Sequence, residues 1–202
     1  MPDPTRPDPF FHATAVILAG GKSNRMGQDK RFLPAGDGPL IQQVTETLRP
    51  HFSHMLLVAP DADRLAFLAI PVIGDIQAGA GPLAGIASAL QVIETDLAFV
   101  CACDIPQPPL GMIQQLYDAV QGHDCAAPRH ANGNIESLFA FFRKAMEPQA
   151  VSALRSGSRR VHELITNART AYVPMDETLL QNVNTPADYH AILGRTGETP
   201  PS

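Results

Sequence analysis

The 202-residue sequence is 45% hydrophobic, 17% charged and 6% aromatic, which suits one compact α/β-sized domain with a sizeable core better than two. Fifteen Lys and Arg against twenty Asp and Glu leave a formal charge of -5, so no global basic surface exists to hold a polynucleotide backbone, and no run approaches the roughly 20 apolar residues of a membrane helix. The start, Met1-Pro2-Asp3-Pro4, has neither the basic stretch nor the apolar core of a signal sequence; the expectation is a soluble, cytoplasmic protein with no nucleic-acid or membrane partner.

Four prolines in the first nine residues and Thr199-Pro200-Pro201-Ser202 at the end carry no periodic apolar pattern, so 1–12 and 194–202 read as disordered tails around a single domain over 13–193. Inside it, short apolar runs alternate with stretches of helical period. Ala15 to Ala19 reads as a strand and Leu40, Ile41, Val44 and Leu48 as one face of a helix. Strands follow at Met55 to Ala59 and near Val72 and Ile73, then a helix with the stripe Leu83, Ile86, Ala87, Leu90 and Ile93. Leu97 to Cys101 is the next strand, Leu110, Ile113, Leu116 and Val120 mark another helix, and a short strand lies around Cys125 and Ala126. Asn132-Gly133 is a hairpin turn signal ahead of a strand over Leu138 to Phe142. The fold class is therefore α/β: a three-layer, mostly parallel, doubly wound, Rossmann-like sheet with an appended antiparallel hairpin. In such sheets ligands bind beyond the carboxyl ends of the strands, so residues just after each strand carry the functional reading.

The first strand runs into Leu18-Ala19-Gly20-Gly21 and then a basic stretch: residues 22 to 31 hold four of the fifteen Lys and Arg, namely Lys22, Arg25, Lys30 and Arg31. Glycines let backbone amides approach an anion, Arg grips phosphate oxygens with two donors and Lys adds a point charge, which together suit a polyphosphate. The alternative is a solvated basic turn. Gly21-Lys22-Ser23 imitates the end of a Walker A loop, but the first glycine of that motif would fall at Val16, inside the strand. The dinucleotide pattern G-x-G-x-x-G fails as well, because Gly20 and Gly21 are adjacent. Cys101, Cys103 and Cys125 lack a second cysteine pair or a nearby histidine and read as buried reduced thiols; His51, His54, His123, His130 and His162 form no ligand spacing.

Leu18-Ala19-Gly20-Gly21 with Arg25-Met26-Gly27 and Lys30 resembles the signature of nucleotidyltransferases that move a nucleoside monophosphate from an NTP to a phosphorylated acceptor. Adding Gly81-Pro82-Leu83-Ala84-Gly85, Cys103-Asp104 and Asn182-Val183-Asn184-Thr185-Pro186 makes the chain similar to the molybdenum cofactor guanylyltransferases. The resemblance implies Mg²⁺-dependent transfer of GMP from GTP to molybdopterin, with pyrophosphate leaving and the guanine dinucleotide cofactor remaining. Cytidylyl transfer from CTP to the same acceptor, or a non-catalytic GTP and cofactor carrier, are the alternatives. Acceptor molybdoenzymes or their chaperones would be further partners.

By the same resemblance, Lys30 and Arg25 face the phosphates, and the backbone of Leu18, Ala19, Gly20 and Gly21 reads the purine. Asp75 matches a carboxylate on the nucleoside side, against the alternative of a surface-loop aspartate. Asp104 matches the Mg²⁺ ligand, against a cap for a helix starting near Pro108. Gly81 and Pro82 open a helix beside the nucleotide, or are a plain helix start. Asn182 and Asn184 suit the pterin and its phosphate, or a capping turn before a final helix; Arg159-Arg160 would reach the acceptor phosphate, or belong to a solvated helix face. The chain departs from the family pattern at Leu57-Val58-Ala59-Pro60-Asp61, where an asparagine is usual, and at Asn134-Ile135-Glu136-Ser137-Leu138, where a His-Pro stretch is usual.

Overall fold

The computed structural model describes residues 11–20, 29–35, 37–180, 182–183 and 188–189. In chain order the elements are β1 (Phe11–Leu18), a 3₁₀ turn (Lys30–Phe32), the small ribbon β2 (Pro34–Ala35) and β3 (Gly38–Pro39), α1 (Leu40–Leu48), β4 (Phe52–Val58), α2 (Ala62–Leu65) and β5 (Val72–Ile73). There follow α3 (Pro82–Val92), β6 (Leu97–Ala102), α4 (Leu110–Ala119), β7 (Cys125–Arg129), β8 (Phe139–Arg143), α5 (Glu147–Arg155), α6 (Val161–Thr166) and β9 (Thr170–Pro174). The described strands other than β2 and β3 form one sheet in the order β5-β4-β1-β6-β8-β7-β9.

Strand β1 is hydrophobic on both faces because both are covered, as a central parallel strand requires. Ala13, Ala15 and Ile17 join one core with α1, α4 and the rings of Phe52, Phe99, Phe139 and Phe141; Val16 and Leu18 join the other with α3, α5 and α6. β1 runs parallel to β4, with Val16 opposite Leu56, and to β6, with Val16 opposite Val100. Helix α1 places Leu40, Ile41, Val44 and Leu48 on its buried face. Helix α3 is buried along most of its length, and its start is set by Pro82 in the first turn after Gly81, whose φ of 79° is one that a side chain would strain.

Three features differ from the sequence reading. Phe11, assigned to the disordered tail, is 2% exposed, its ring packs 4.9 Å from Phe52 and 5.1 Å from Tyr117, and its N–H donates to the His51 carbonyl. The folded chain thus includes Phe11 and His12, because one deeply buried ring offsets the ordering that the proline-rich composition argued against. Residues 1–10 and 194–202 lie outside the described residues. The antiparallel strand β8 is not an appendage but sits inside the sheet, with Phe99 opposite Phe141 in β6 and Cys125 opposite Phe142 in β7. The edge beyond β7 is closed by β9, parallel to it, which the sequence reading did not include. Gly133, at φ 90°, turns the chain between β7 and β8 as the Asn-Gly signal implies, and Asn132 Oδ1 accepts from the Asn134 N–H at 2.9 Å.

The three cysteines are free and buried, and burial pushes the thiols of Cys103 and Cys125 up to about 12. No helix among the described residues is long and apolar enough to cross a membrane.

Phe141 is fully buried between Phe99, at 5.0 Å, and Tyr117, at 5.6 Å. Phe141→Ala is expected to lower stability by about 3 to 5 kcal/mol, read as a lower denaturant midpoint with an unchanged slope.

Candidate active site

From β1 the chain steps outward to β4 and β5 and then returns to place β6 on the other side of β1. The carboxyl ends of β1 and β6 therefore flank a topological switch point, the place where open α/β sheets bind their ligands. The two ends are tied together by the Cys103 N–H donating to the Leu18 carbonyl at 3.2 Å, and β4 joins them through the Ala19 N–H donating to Val58 O at 2.9 Å.

Lys30 and Asp104 meet at this switch point. Lys30 opens the 3₁₀ turn, for which Asp29 is the cap, and its Nζ lies 2.5 Å from Asp104 Oδ2. The two side chains are 24% and 15% exposed, so the pair is largely removed from water. Among the described residues Oδ2 has its partner, whereas Asp104 Oδ1 is buried without one. An ionised carboxylate oxygen in that position is a hard donor suited to a divalent cation. The helix-cap alternative for Asp104 is not realised: α4 starts at Leu110 behind Pro109 with no side-chain cap. Asp104 also fixes the chain that passes over it, because its carbonyl accepts from the Val183 N–H at 2.8 Å. The neighbouring Asn182 carries a second buried oxygen, Oδ1, without a partner among the described residues.

Arg31, one of the four cations of the basic stretch after β1, is committed elsewhere. Its guanidinium makes two-pronged contacts with Asp29 and with Asp61 and a further hydrogen bond to the Ala19 carbonyl. These hydrogen bonds hold the carboxyls of Asp29 and Asp61 below the usual aspartate range and raise the guanidinium pKa further. Arg64 braces the same carboxylates and lies over the Phe32 ring at 4.1 Å. Asp29, Asp61 and Arg64 were not singled out in the sequence; the Asp29-x-Arg31 and Asp61-x-x-Arg64 spacings were the available signal. Gly21, Lys22, Arg25 and Asn184 lie outside the described residues.

On the β4–β5 side, Asp75 follows β5 and faces the backbone of Gly20 and of α3. A Cβ on Gly20 would lie 4.0 Å from Asp75 Oδ2, and one on Gly85 would lie 3.2 Å from Oδ1 and 3.0 Å from Leu18 Cδ2. Glycine at 85 is what lets α3 approach β1 and Asp75 together. Partial desolvation raises the Asp75 pKa. Its loop is fixed by the Ile76 N–H donating to Ser88 Oγ, which in turn donates to the Ala84 carbonyl, both at 2.8 Å. Leu18, Gly20 and Asp75 are thus brought together with Gly85 of α3, whereas Gly81 and Pro82, at the start of that helix, lie on the side of Arg159. The Ala19 N–H and carbonyl are already engaged within the fold, which leaves only a second carbonyl lone pair at that residue for a base donor.

On the other side, Arg159 and Arg160 precede α6 in a loop, not on a helix face. With Pro82, Ser137, Leu138 and His162 they line a cavity of about 400 Å³. The hairpin segment contributing Ser137 and Leu138 is held by Glu136 Oε1, 2.8 Å from His130 Nε2, and that carboxylate raises the imidazole pKa.

Residues 15–171 match the MobA-like NTP transferase domain family. A probable molybdenum cofactor guanylyltransferase of Carboxydothermus hydrogenoformans is 36% identical over 188 residues, covering 89% of this chain and 94% of that protein. A molybdenum cofactor guanylyltransferase of Yersinia pseudotuberculosis is 35% identical over 185 residues, covering 87% and 92%. The crystal structure of molybdopterin-guanine dinucleotide biosynthesis protein A from Archaeoglobus fulgidus shares the fold, with a TM-score of 0.78 at 24% identity, over 91% of this chain and 98% of that one. The switch point at which Lys30 meets Asp104 is therefore that of a chain which belongs to the MobA-like NTP transferase family.

Proposed function

We propose that this chain transfers GMP from GTP to the terminal phosphate of molybdopterin, releasing pyrophosphate, in the cytoplasm, where its three free cysteines remain reduced. The observation that carries the reading is the Lys30–Asp104 pair, with one carboxylate oxygen buried and unpartnered, at the switch point of a chain whose relatives are named for this activity. An oxygen of the acceptor phosphate attacks the α-phosphorus of GTP, the bond from that phosphorus to the bridging oxygen breaks, and pyrophosphate takes the electron pair. Such transfers ask the protein for positioning and charge neutralisation, with no covalent intermediate.

Lys30 would release Asp104 to meet the triphosphate and stabilise the charge that grows on the leaving pyrophosphate, with Arg25 as the second cation expected there. Asp104 Oδ1 fits Mg²⁺, which takes one or two carboxylates along with phosphate oxygens and water. Bound there, Mg²⁺ would neutralise phosphate charge and favour in-line displacement. Asp75 would accept from guanine or ribose donors, and the backbone of Leu18 to Gly20 would line the base. Arg159 and Arg160 in the cavity beside Pro82, together with Asn182, would hold the acceptor, and the product would pass to acceptor molybdoenzymes or their chaperones.

Purified protein with Mg²⁺ and molybdopterin is expected to release pyrophosphate with GTP and not with CTP, ATP or UTP, and to stop when the divalent cation is chelated. Release with CTP instead overturns the guanine assignment, and GTP binding without release favours a carrier. Asp104→Asn and Lys30→Met are each expected to lower kcat on the order of 100-fold to 1000-fold with the fold intact by circular dichroism. Normal pyrophosphate release by Asp104→Asn would remove that residue from the metal site.

A further inference from the structure

A guanidinium has five N–H donors, and in Arg31 all five meet an acceptor. Nε donates to Asp29 Oδ1 at 2.9 Å and Nη2 to Asp29 Oδ2 at 2.7 Å. Nη1 and Nη2 form a second fork to Asp61, at 2.6 and 2.7 Å, and the remaining Nη1 hydrogen reaches the Ala19 carbonyl at 3.0 Å. The side chain is 11% exposed, so the charge is enclosed by the two carboxylates that neutralise it. Its partners come from three places: Ala19 ends β1, Asp61 follows β4, and Asp29 caps the turn that begins with Lys30.

We infer that Arg31 is a positioning residue for the nucleotide, acting through Lys30 and the Ala19 carbonyl and not by touching phosphate. Through Asp29 it fixes the turn from which Lys30 projects, and through Asp61 and Ala19 it locks that turn to the ends of β4 and β1. A lysine at 31 has three donors and no planar fork, so it cannot make both two-pronged carboxylate contacts and the carbonyl hydrogen bond at once. Asp61 supplies the second fork that makes this arrangement possible. Lys30 would then keep its place against Asp104 by being held from behind. The inference rests on the guanylyl-transfer reading for the identity of the nucleotide, but not for the clamp itself.

Arg31→Lys and Asp61→Asn are each expected to raise the KM for GTP about tenfold, the equivalent of losing one well-ordered side-chain interaction, while the KM for molybdopterin stays unchanged. A merely structural role would reduce the fraction of active enzyme, lowering kcat and leaving both KM values where they are. Adding Arg31→Lys to Lys30→Met is expected to change the KM for GTP by less than about twofold beyond Lys30→Met alone, because one residue acts through the other. Amide exchange of the nucleotide-free protein provides a readout independent of the reaction: Arg31→Lys is expected to speed exchange at Phe32 and Leu33 and leave β6 and α4 unchanged. Unaltered exchange at Phe32 and Leu33 overturns the proposal whichever nucleotide the enzyme uses. Faster exchange with an unchanged KM for GTP overturns it too, by reducing Arg31 to a stabilising role. If the wild-type protein releases no pyrophosphate with any nucleotide, the guanylyl-transfer reading fails, and the exchange result alone decides whether Arg31 clamps the turn.

Discussion

Apart from β8, every strand of the main sheet points the same way, and this direction governs where polar chemistry can be. β1 has parallel neighbours on both sides and apolar layers on both faces, so a charged side chain along its length would be buried without a partner. Charge is pushed to the strand ends, and because the strands agree in direction their carboxyl ends share one edge. Asp61, Asp75 and Asp104 each follow the carboxyl end of a different strand, β4, β5 and β6. The reversed strand β8 adds to the same edge from its amino end: Ser137 and Leu138 precede it and line the cavity. Its other end is anchored at the opposite edge, where Arg143 donates to the carbonyls of His123 and Val120.

At that edge the charges are distributed as specific pairs. Of the two cations next to each other in sequence, Lys30 pairs with Asp104 at the end of β6 and Arg31 with Asp29 and Asp61. Counting residues gives a positive loop; counting partners gives one cation held for exchange and one held in place. A largely desolvated ammonium and carboxylate compensate each other while no substrate is bound. Under the proposed reaction both are handed equivalent partners at the same time, a phosphate for Lys30 and a divalent cation for Asp104, so neither is left bare as the site fills.

The parts of the fold that the sequence made legible are those with long or strongly periodic apolar patterns. α1, α3 and α4 and the strands beginning near Phe52, Leu97 and Phe139 follow from spacing alone. β9 escaped because Thr170–Pro174 is mostly half-exposed, with Val173 its single buried residue, and α6 because six residues carry too little period. Phe11 was lost by judging the amino-terminal stretch on composition, when a single ring in the cluster with Phe52, Phe141 and Tyr117 decides where order begins. In the site, Lys30 and Asp75 were singled out through the family resemblance, and Asp104 also as an aspartate just beyond an apolar strand. The role of Arg31 was not, since its deciding partner, Asp61, lies 30 residues away and only the fold brings them together.

The sheet order also divides the site. β5, β4 and β1 carry Asp75 and the close approach of α3, a surface built from backbone and small residues that crowds any side chain at Gly85. β6, β8, β7 and β9 carry the cavity with Arg159 and Arg160 and the hairpin pinned by His130 and Glu136. A flat base requires the first kind of surface, since close approach and a few fixed acceptors are what distinguish one base from another. A phosphorylated acceptor requires the second, where long cationic side chains adapt to an anion. Asp104, at the end of β6, stands at the seam in the sheet order between these halves. A transfer joining a nucleotide from one side to an acceptor from the other must place its reacting phosphorus near that seam, and this is where the unpartnered oxygens of Asp104 and Asn182 are found.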